Sequence, residues 1–214
     1  MDLGLSEIQK MLQESSRSYL EENCTMSFIR AMESDDIGIT EEIWKNMSEM
    51  GWLGLMIPEE YSGSGFKFED MSILLEEMGR VALSGPFFST AVVGVQSLLI
   101  SGNESQKKEL LPKISSGQIK LSLAFNESTG SFDESEISNT VSTKNQNGWT
   151  LNGEKLFVND AIGSDYFIVA SKSENNVGIS LFLVPSNTEG IEIEKMESIG
   201  GDKIFKVKFN EIKS

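Results

Sequence analysis

The stretch that decides the fold is MGWLGLMIPEEYSGSG, residues 50–65. Gly51 suits the position just after a helix, where the backbone adopts a positive φ angle. Pro58 excludes the residue before it from helical conformation, while Gly63 and Gly65 let the backbone turn where a side chain would clash. The stretch therefore predicts the end of one helix, a tight loop and the beginning of another helix.

The sequence before residue 117 has the apolar period of α-helices. Capping residues precede three of the predicted helices: Ser6 with Gln9, Thr40, and Asn103 with Gln106. A further helix is predicted over residues 69–79. Residues 85–102 are almost all small or apolar, so they predict a helix that is buried on every side.

After Gly117 the period of the apolar residues changes to two, as Leu121, Leu123 and Phe125 illustrate. The dipeptides at 147–148 and 152–153, both Asn-Gly, are typical of tight turns between strands. Helices followed by strands without alternation predict an α+β protein. We expect an all-helical N-terminal domain at residues 1–117 and an antiparallel β-barrel or sandwich domain at residues 118–214.

Composition excludes several classes of function. The net charge of −15 disfavours a nucleic-acid partner, which needs a concentrated cationic surface. With no histidine and one cysteine, neither a histidine-dependent catalytic triad nor a metal site is expected. No apolar run reaches the ~20 residues of a membrane span, and the N-terminus shows no secretory signal. These features predict a cytoplasmic protein without a membrane partner.

Four blocks, in order along the chain, carry a resemblance to a known family: residues 50–65, GNESQKKELLPKISSG at 102–117, LNGEKLFVNDAIGSD at 151–165, and IGGD at 199–202 followed by Phe209. In this combination the sequence resembles the N-terminal and middle domains of acyl-CoA dehydrogenases. Ser62 and Ser64 depart from the family pattern, and both are small residues. The resemblance implies FAD as cofactor and an acyl-CoA thioester as substrate, oxidised by α,β-dehydrogenation in fatty acid metabolism. It also implies a homo- or hetero-oligomer and an electron-transfer flavoprotein as partner.

The resemblance further implies which residues contact the flavin in the β domain. Phe157 matches an aromatic residue that packs along the flavin, and Val158 matches the neighbour whose backbone approaches the ring. Asn159 stands where the family usually has a Thr or Ser near flavin N5.

A second flavin stretch, AFNESTGSFD at residues 124–133, is less faithful to the family. Phe125 is expected to supply backbone contacts, and Asn126 replaces a hydroxyl residue that meets the flavin pyrimidine. Ser131 replaces a Gly and narrows the backbone approach. Phe132 replaces a Ser, which removes a hydrogen-bond donor and adds bulk near the cofactor and thioester.

No catalytic residue is assigned from this sequence. Members of the family hold the catalytic Glu in a C-terminal helical bundle, whereas this sequence ends at Ser214, in or just after the last strand. Glu59, Glu60, Glu76 and Glu77 are expected to be solvated charges of helices and loops.

Three functions stay open on this basis. The first is the N-terminal and middle part of a flavin-dependent acyl-CoA dehydrogenase. The second is a non-catalytic partner subunit that has lost its own flavin site. The third is a related flavoprotein that acts on another substrate.

Overall fold

The computed structural model describes residues 4–146, 148–173 and 178–213. The helical region contains α1 (Glu7–Asn23), α2 (Met26–Glu33), α3 (Glu41–Glu49), α4 (Phe68–Arg80), α5 (Val95–Ser101) and α6 (Glu104–Ser115). A π-helical segment, Phe88–Gly94, leads directly into α5. None of the helices among the described residues is both long and apolar enough to span a membrane.

The predicted caps and the predicted loop are confirmed. Ser6 Oγ accepts a hydrogen bond from the Gln9 N–H at 3.2 Å, and Gln9 Oε1 accepts one from the Ser6 N–H at 3.0 Å. In the loop, Gly51 and Gly65 have φ angles of 76° and 67°. A Cβ on Gly63 would lie 2.0 Å from the Ile57 carbonyl oxygen, so the loop can close only around a glycine there.

The prediction of a uniformly buried helix over residues 85–102 is wrong in two respects. The first half is π-helical, and the segment is not buried all round, since Phe88 is 52% exposed and Ile100 is 79% exposed. The spacing of apolar residues does not reveal that a helical turn contains one extra residue, so the π-helical segment was not predicted. An apolar side chain can also face a cavity, so apolar composition did not ensure burial. Phe88 faces such a cavity, as described below.

The β region contains β1 (Leu121–Ala124), β2 (Val141–Asn145), β3 (Gly148–Asn159), β4 (Tyr166–Ser173), β5 (Ile179–Pro185), β6 (Ile191–Lys195) and β7 (Ile204–Lys213). They form one sheet in the order β1-β4-β2-β3-β7-β6, with β5 also paired to β4. The α+β class is therefore confirmed.

The sheet is mixed, so the expectation of a purely antiparallel β region is wrong. β4 pairs in parallel with both β1 and β2, while the other pairs are antiparallel. A side-chain period of two is the same in both kinds of sheet. Parallel pairing requires a long connection between the two strands, and such connections lead from β1 and β2 to β4. The alternation of apolar residues within a strand does not show which strand it pairs with.

The Asn-Gly dipeptide at 152–153 lies inside β3, so its prediction as a turn is wrong. The pairing register of β3 with β7 shifts between Leu151 and Gly153, which marks a β-bulge. A Cβ on Gly153 would lie 2.4 Å from the Thr140 Cα, so the bulge brings two backbones together at a glycine. Asn152 Oδ1 accepts a hydrogen bond from the Glu211 N–H at 2.8 Å. The other predicted turn includes Asn147, which lies outside the described residues.

A shared apolar cluster joins the two regions. It includes Val95 and Leu98 of α5, Leu111 of α6, Leu121 of β1 and Ile168 of β4. A hydrogen bond accompanies this packing: Thr90 Oγ1, in the π-helical segment, accepts from the Leu121 N–H at 3.0 Å. The π-helical segment is thereby fixed against the edge of the sheet.

Candidate functional site

A cavity of about 340 Å³ lies between the π-helical segment and the sheet. Its lining is mainly apolar, with two asparagines and one serine as the polar side chains. The lining residues are Phe88, Ser89, Val93, Leu123, Phe125, Asn126, Gly130, Phe132, Phe157, Asn159 and Ile204. This combination of a large apolar surface and a few polar groups is typical of sites for small molecules and cofactors.

A second β-bulge in β3 turns Phe157 toward this cavity. The register with β7 shifts between Lys155 and Val158, and Phe157 has a left-handed φ angle of 54°. Lys155 and Val158 are both buried, whereas Phe157 is 46% exposed. Bulges commonly re-aim a side chain near a functional site, and strained backbone of this kind clusters at such sites.

A buried ion pair holds the loop at residues 125–140 against β3. Lys155 Nζ donates to Glu127 Oε1 and to the Phe125 carbonyl oxygen, each at 2.9 Å. The Glu127 carboxylate also accepts hydrogen bonds from the backbone N–H groups of residues 138–140, at 2.7–2.9 Å. Burial alone would raise the pKa of Glu127, but these donors outweigh burial and lower the pKa to about 2. Burial also lowers the pKa of Lys155, which Glu127 partly offsets.

Phenylalanines form the rim of the cavity. The rings of Phe125 and Phe132 stack with their centroids 6.2 Å apart and their planes at 18°. Phe132 is 79% exposed, so its bulk lies at the rim and leaves the cavity open. Phe88 and Phe157 also line the cavity and are about half exposed. Together with Phe132 they form an exposed apolar surface of the kind that binds a ligand or another protein surface.

The Asn126 side chain closes its own loop. Its Nδ2 donates to the Ser131 carbonyl oxygen at 3.0 Å and to the Gly130 carbonyl oxygen at 3.4 Å. The Asn126 carbonyl oxygen accepts a hydrogen bond from the Leu156 N–H at 2.9 Å. The amide group therefore shapes the wall of the cavity, and its N–H donors are used within the loop.

Asp160 and Ser89 form a buried polar contact between the sheet and the π-helical segment. The Ser89 hydroxyl donates to Asp160 Oδ2 across 71 residues of sequence. Burial raises the pKa of Asp160 to about 6, although the hydrogen bond from Ser89 and the charge of Lys203 act in the opposite direction. Asp160 is only 9% exposed and has a left-handed φ angle of 57°. Sequence reasoning missed this pair; the available signal was an ionisable residue directly after a strand and directly before Ala161 and Ile162.

Five of the seven residues predicted to contact a cofactor line the cavity, namely Phe125, Asn126, Phe132, Phe157 and Asn159. The Val158 side chain is buried in the β core instead. Ser131 lies beside the cavity lining, where its Oγ accepts a hydrogen bond from the Asp133 N–H at 3.0 Å.

The expectation for Glu77 is wrong, because its side chain is buried rather than solvated. Arg17 donates to both of its carboxylate oxygens, at 2.7 and 2.9 Å, and Arg80 lies within 3.4 Å. The hydrogen bond from Arg17 lowers the pKa of Glu77. Glu59, Glu60 and Glu76 are exposed as expected. Among the described residues, no group of three or more acidic or cysteine side chains is placed to hold a metal ion.

The sequence matches two domains of one family along nearly its whole length. Residues 6–118 match the N-terminal domain of acyl-CoA dehydrogenases, and residues 122–212 match the middle domain. The chain therefore belongs to the acyl-CoA dehydrogenase family.

Two similar proteins are about twice as long as this chain. A mitochondrial isovaleryl-CoA dehydrogenase from Pongo abelii is 27% identical over 205 residues, which cover 92% of this chain and 48% of the relative. A glutaryl-CoA dehydrogenase from Desulfococcus multivorans is 29% identical over 208 residues, which cover 94% of this chain and 53% of the relative. The chain thus spans about half the length of these relatives.

Solved structures share the fold over the whole chain. An acyl-CoA dehydrogenase from Geobacillus kaustophilus has a TM-score of 0.88 and 26% identity, covering 100% of this chain and 58% of its own. The ChsE4–ChsE5 complex from Mycobacterium tuberculosis has a TM-score of 0.88, 20% identity and coverages of 100% and 57%. An acyl-CoA dehydrogenase from Bacillus anthracis, solved in complex with FAD, has a TM-score of 0.86, 23% identity and coverages of 97% and 36%.

Proposed function

We propose that this chain is the N-terminal and middle part of a flavin-dependent acyl-CoA dehydrogenase, with domains at residues 1–117 and 118–214. The observation that supports this most directly is the apolar cavity, which forms where the flavin motifs of the family fall in the sequence. FAD, when bound, supplies the hydride acceptor for α,β-dehydrogenation of an acyl-CoA thioester. The chain's own contribution is to bind and orient the ring.

The residues around the cavity fit a flat ring system. A volume of about 340 Å³ is near the lower end of the range for ligand pockets, which suits a tricyclic ring rather than a whole dinucleotide. Phe157 and Phe132 offer aromatic surface for stacking, and Asn159 offers a polar group. Phe125, Asn126 and Ser131 are proposed to shape the adjacent loop, and Val158 is proposed to contribute its backbone.

The remaining assignments concern partners. We propose an acyl-CoA substrate, an electron-transfer flavoprotein as electron acceptor, and a homo- or hetero-oligomeric assembly. The existence of a complex between two proteins of this fold supports the last of these. Because this chain carries a net charge of −15, binding of the coenzyme A phosphates requires local lysines of this chain or cations of a neighbouring subunit. A cytoplasmic location is proposed because the single cysteine, Cys24, leaves no internal disulfide to require an oxidising compartment.

A non-catalytic partner subunit is the second candidate. The donors of Asn126 are committed to the Gly130 and Ser131 carbonyl oxygens, so they are not free for a flavin pyrimidine. This observation favours a chain that keeps the fold of the site without binding the cofactor. A flavoprotein that acts on another substrate is a third candidate. The net negative charge of the chain favours a substrate without the phosphates of coenzyme A.

Titration of the purified 214-residue chain with FAD, followed by flavin fluorescence and calorimetry, tests the proposal. We expect saturable binding that is weakened about tenfold by Phe157→Leu, which removes the stacking surface and keeps an apolar side chain. Phe68→Leu is the matched control, because Phe68 is 56% exposed at the start of α4 and is not part of the cavity lining.

The alternative outcomes separate the candidates. Absence of FAD binding by the wild-type chain at any accessible concentration would support the partner-subunit candidate. Binding of FAD that is equally weakened by both substitutions would place the flavin elsewhere and contradict the cavity as its site.

A further inference from the structure

Among the described residues that line the cavity, one side chain carries a hydroxyl group, and the hydrogen of that hydroxyl is already in use. Ser89 lines the cavity, is 5% exposed, and donates its hydroxyl hydrogen to the Asp160 carboxylate behind it. A serine hydroxyl has one hydrogen and two lone pairs, whereas an ionised carboxylate can only accept. While Asp160 is ionised, Ser89 therefore presents only acceptor lone pairs to the cavity.

We propose that Ser89 is the hydrogen-bond acceptor that recognises a ring N–H of the bound ligand. Asp160 is the positioning residue, because it takes the Ser89 hydrogen and leaves Ser89 as an acceptor toward the cavity. The inference rests on the proposed function, because it takes a flat heterocycle as the occupant of the cavity. The ligand chemistry it selects is an imide-type N–H on that ring.

Asp160 is the titratable group next to Ser89 that can change Ser89 from an acceptor to a donor toward the cavity. In the part of the chain that the structure describes, none of the cavity-lining side chains is ionisable, and neither the π-helical segment nor α5 contains a charged residue. On the β7 side, the charged neighbour of Asp160 is Lys203, whose Nζ donates to the Glu33 carbonyl oxygen at 2.7 Å. When Asp160 is protonated it can donate to Ser89, which frees the Ser89 hydrogen to point into the cavity.

The backbone around Asp160 supports a positioning role. Its φ angle of 57° is left-handed, and its N–H donates to the Lys203 carbonyl oxygen at 2.7 Å. Ser164 Oγ donates to the Asp160 carbonyl oxygen at 2.9 Å. Both backbone polar groups of Asp160 are thus fixed, so the carboxylate is held in place against Ser89.

The test compares two rings that differ by one N–H. Lumiflavin carries an imide N–H at N3, and 3-methyllumiflavin carries a methyl group there. At about pH 8 we expect the wild-type chain to bind lumiflavin about fivefold more tightly, the worth of one ordinary hydrogen bond. At about pH 5, below the pKa of Asp160, we expect the preference to disappear.

Substitutions assign the preference to the pair. Ser89→Ala should abolish it at both pH values, whereas the control Ser171→Ala should keep it, because Ser171 is a buried serine of β4 outside the cavity lining. Asp160→Asn should remove the pH dependence, and asparagine tolerates the left-handed backbone. Equal binding of both rings by the wild type, or a preference retained in Ser89→Ala, would overturn the inference.

A flavin-independent readout distinguishes the two proposals. The carboxyl carbon of Asp160, followed by NMR, should titrate at higher pH in Ser89→Ala, because the hydrogen bond from Ser89 lowers its pKa. An unchanged midpoint would overturn the role of Asp160. If neither ring binds but the midpoint rises, the flavin function fails while the hydrogen bond from Ser89 to Asp160 is supported.

Discussion

Replacement of Glu127 by glutamine should destabilise the β region strongly. The Lys155 ammonium is fully buried and would lose its counter-charge, keeping the Phe125 carbonyl oxygen as an acceptor. The new side-chain NH₂ group would also face backbone N–H donors of residues 138–140 that now reach the carboxylate. Removing one partner of a buried ion pair costs about 3–5 kcal/mol.

The pKa of Glu127 gives an independent estimate of the same size. Each pKa unit corresponds to about 1.4 kcal/mol, so a fall from 4.5 to about 2 corresponds to on the order of 3 kcal/mol. Because the folded-state pKa is the lower one, this stability is present above the unfolded value of 4.5 and is lost as the pH falls toward about 2. Glu127→Gln should therefore also flatten the acid dependence of stability in that range.

The assay is urea unfolding at neutral pH together with hydrogen exchange. With a slope of roughly 2–3 kcal/mol per molar urea, the midpoint should fall by roughly 1–2 M, and the amides of residues 138–140 should exchange faster. Glu154→Gln is the matched control, because Glu154 is 42% exposed and pairs with Lys208 at 3.9 Å, so its loss should cost less than about 1 kcal/mol. Equal midpoints for the two variants, with unchanged amide exchange, would refute this account of the buried pair.

Three further predictions concern stability. Gly153→Ala should cost about 2–4 kcal/mol in urea unfolding, because its Cβ would lie 2.4 Å from the Thr140 Cα; Gly79→Ala, with open space around it, should cost nothing, and similar losses would contradict the bulge. Glu77→Gln should cost about 1–3 kcal/mol by the same assay through its arginine contacts, and a loss below about 0.5 kcal/mol would count against them. Asp160 has a folded-state pKa raised from 3.8 to about 6, so its contribution falls as the pH rises through that window; Asp160→Asn should remove this slope in pH-dependent thermal unfolding, and an unchanged slope would assign it to another group.

Local features of this fold could be predicted from the sequence. The capping residues Ser6, Thr40 and Asn103 and the glycines of residues 50–65 act on neighbours within a few positions, and the structure confirms them. The change of apolar period near Gly117 likewise located the boundary between helices and strands. These signals are local, so they can be read without knowing which parts of the chain meet.

Features that depend on distant partners could not be predicted. Glu77 is buried because Arg17 reaches it across 60 residues of sequence, and a charged residue on a helix gives no sign of this. Parallel pairing of β4 leaves the side-chain period unchanged. Ser89 and Asp160 meet across 71 residues, so neither could be assigned to the cavity from its own neighbourhood. The family motifs located five cavity residues because those motifs are contiguous stretches.

The π-helical segment has a consequence for how this chain can change over evolutionary time. A π-helical turn is an α-helix with one additional residue, and each residue of a regular helix corresponds to about 100° of rotation. Loss of a single codon within residues 90–94 would restore a regular helix and rotate the part of the segment on its N-terminal side, which includes Ser89, by that angle. Ser89 would then point away from the cavity. One in-frame deletion would thus remove a binding group from the cavity while the serine itself stays in the sequence.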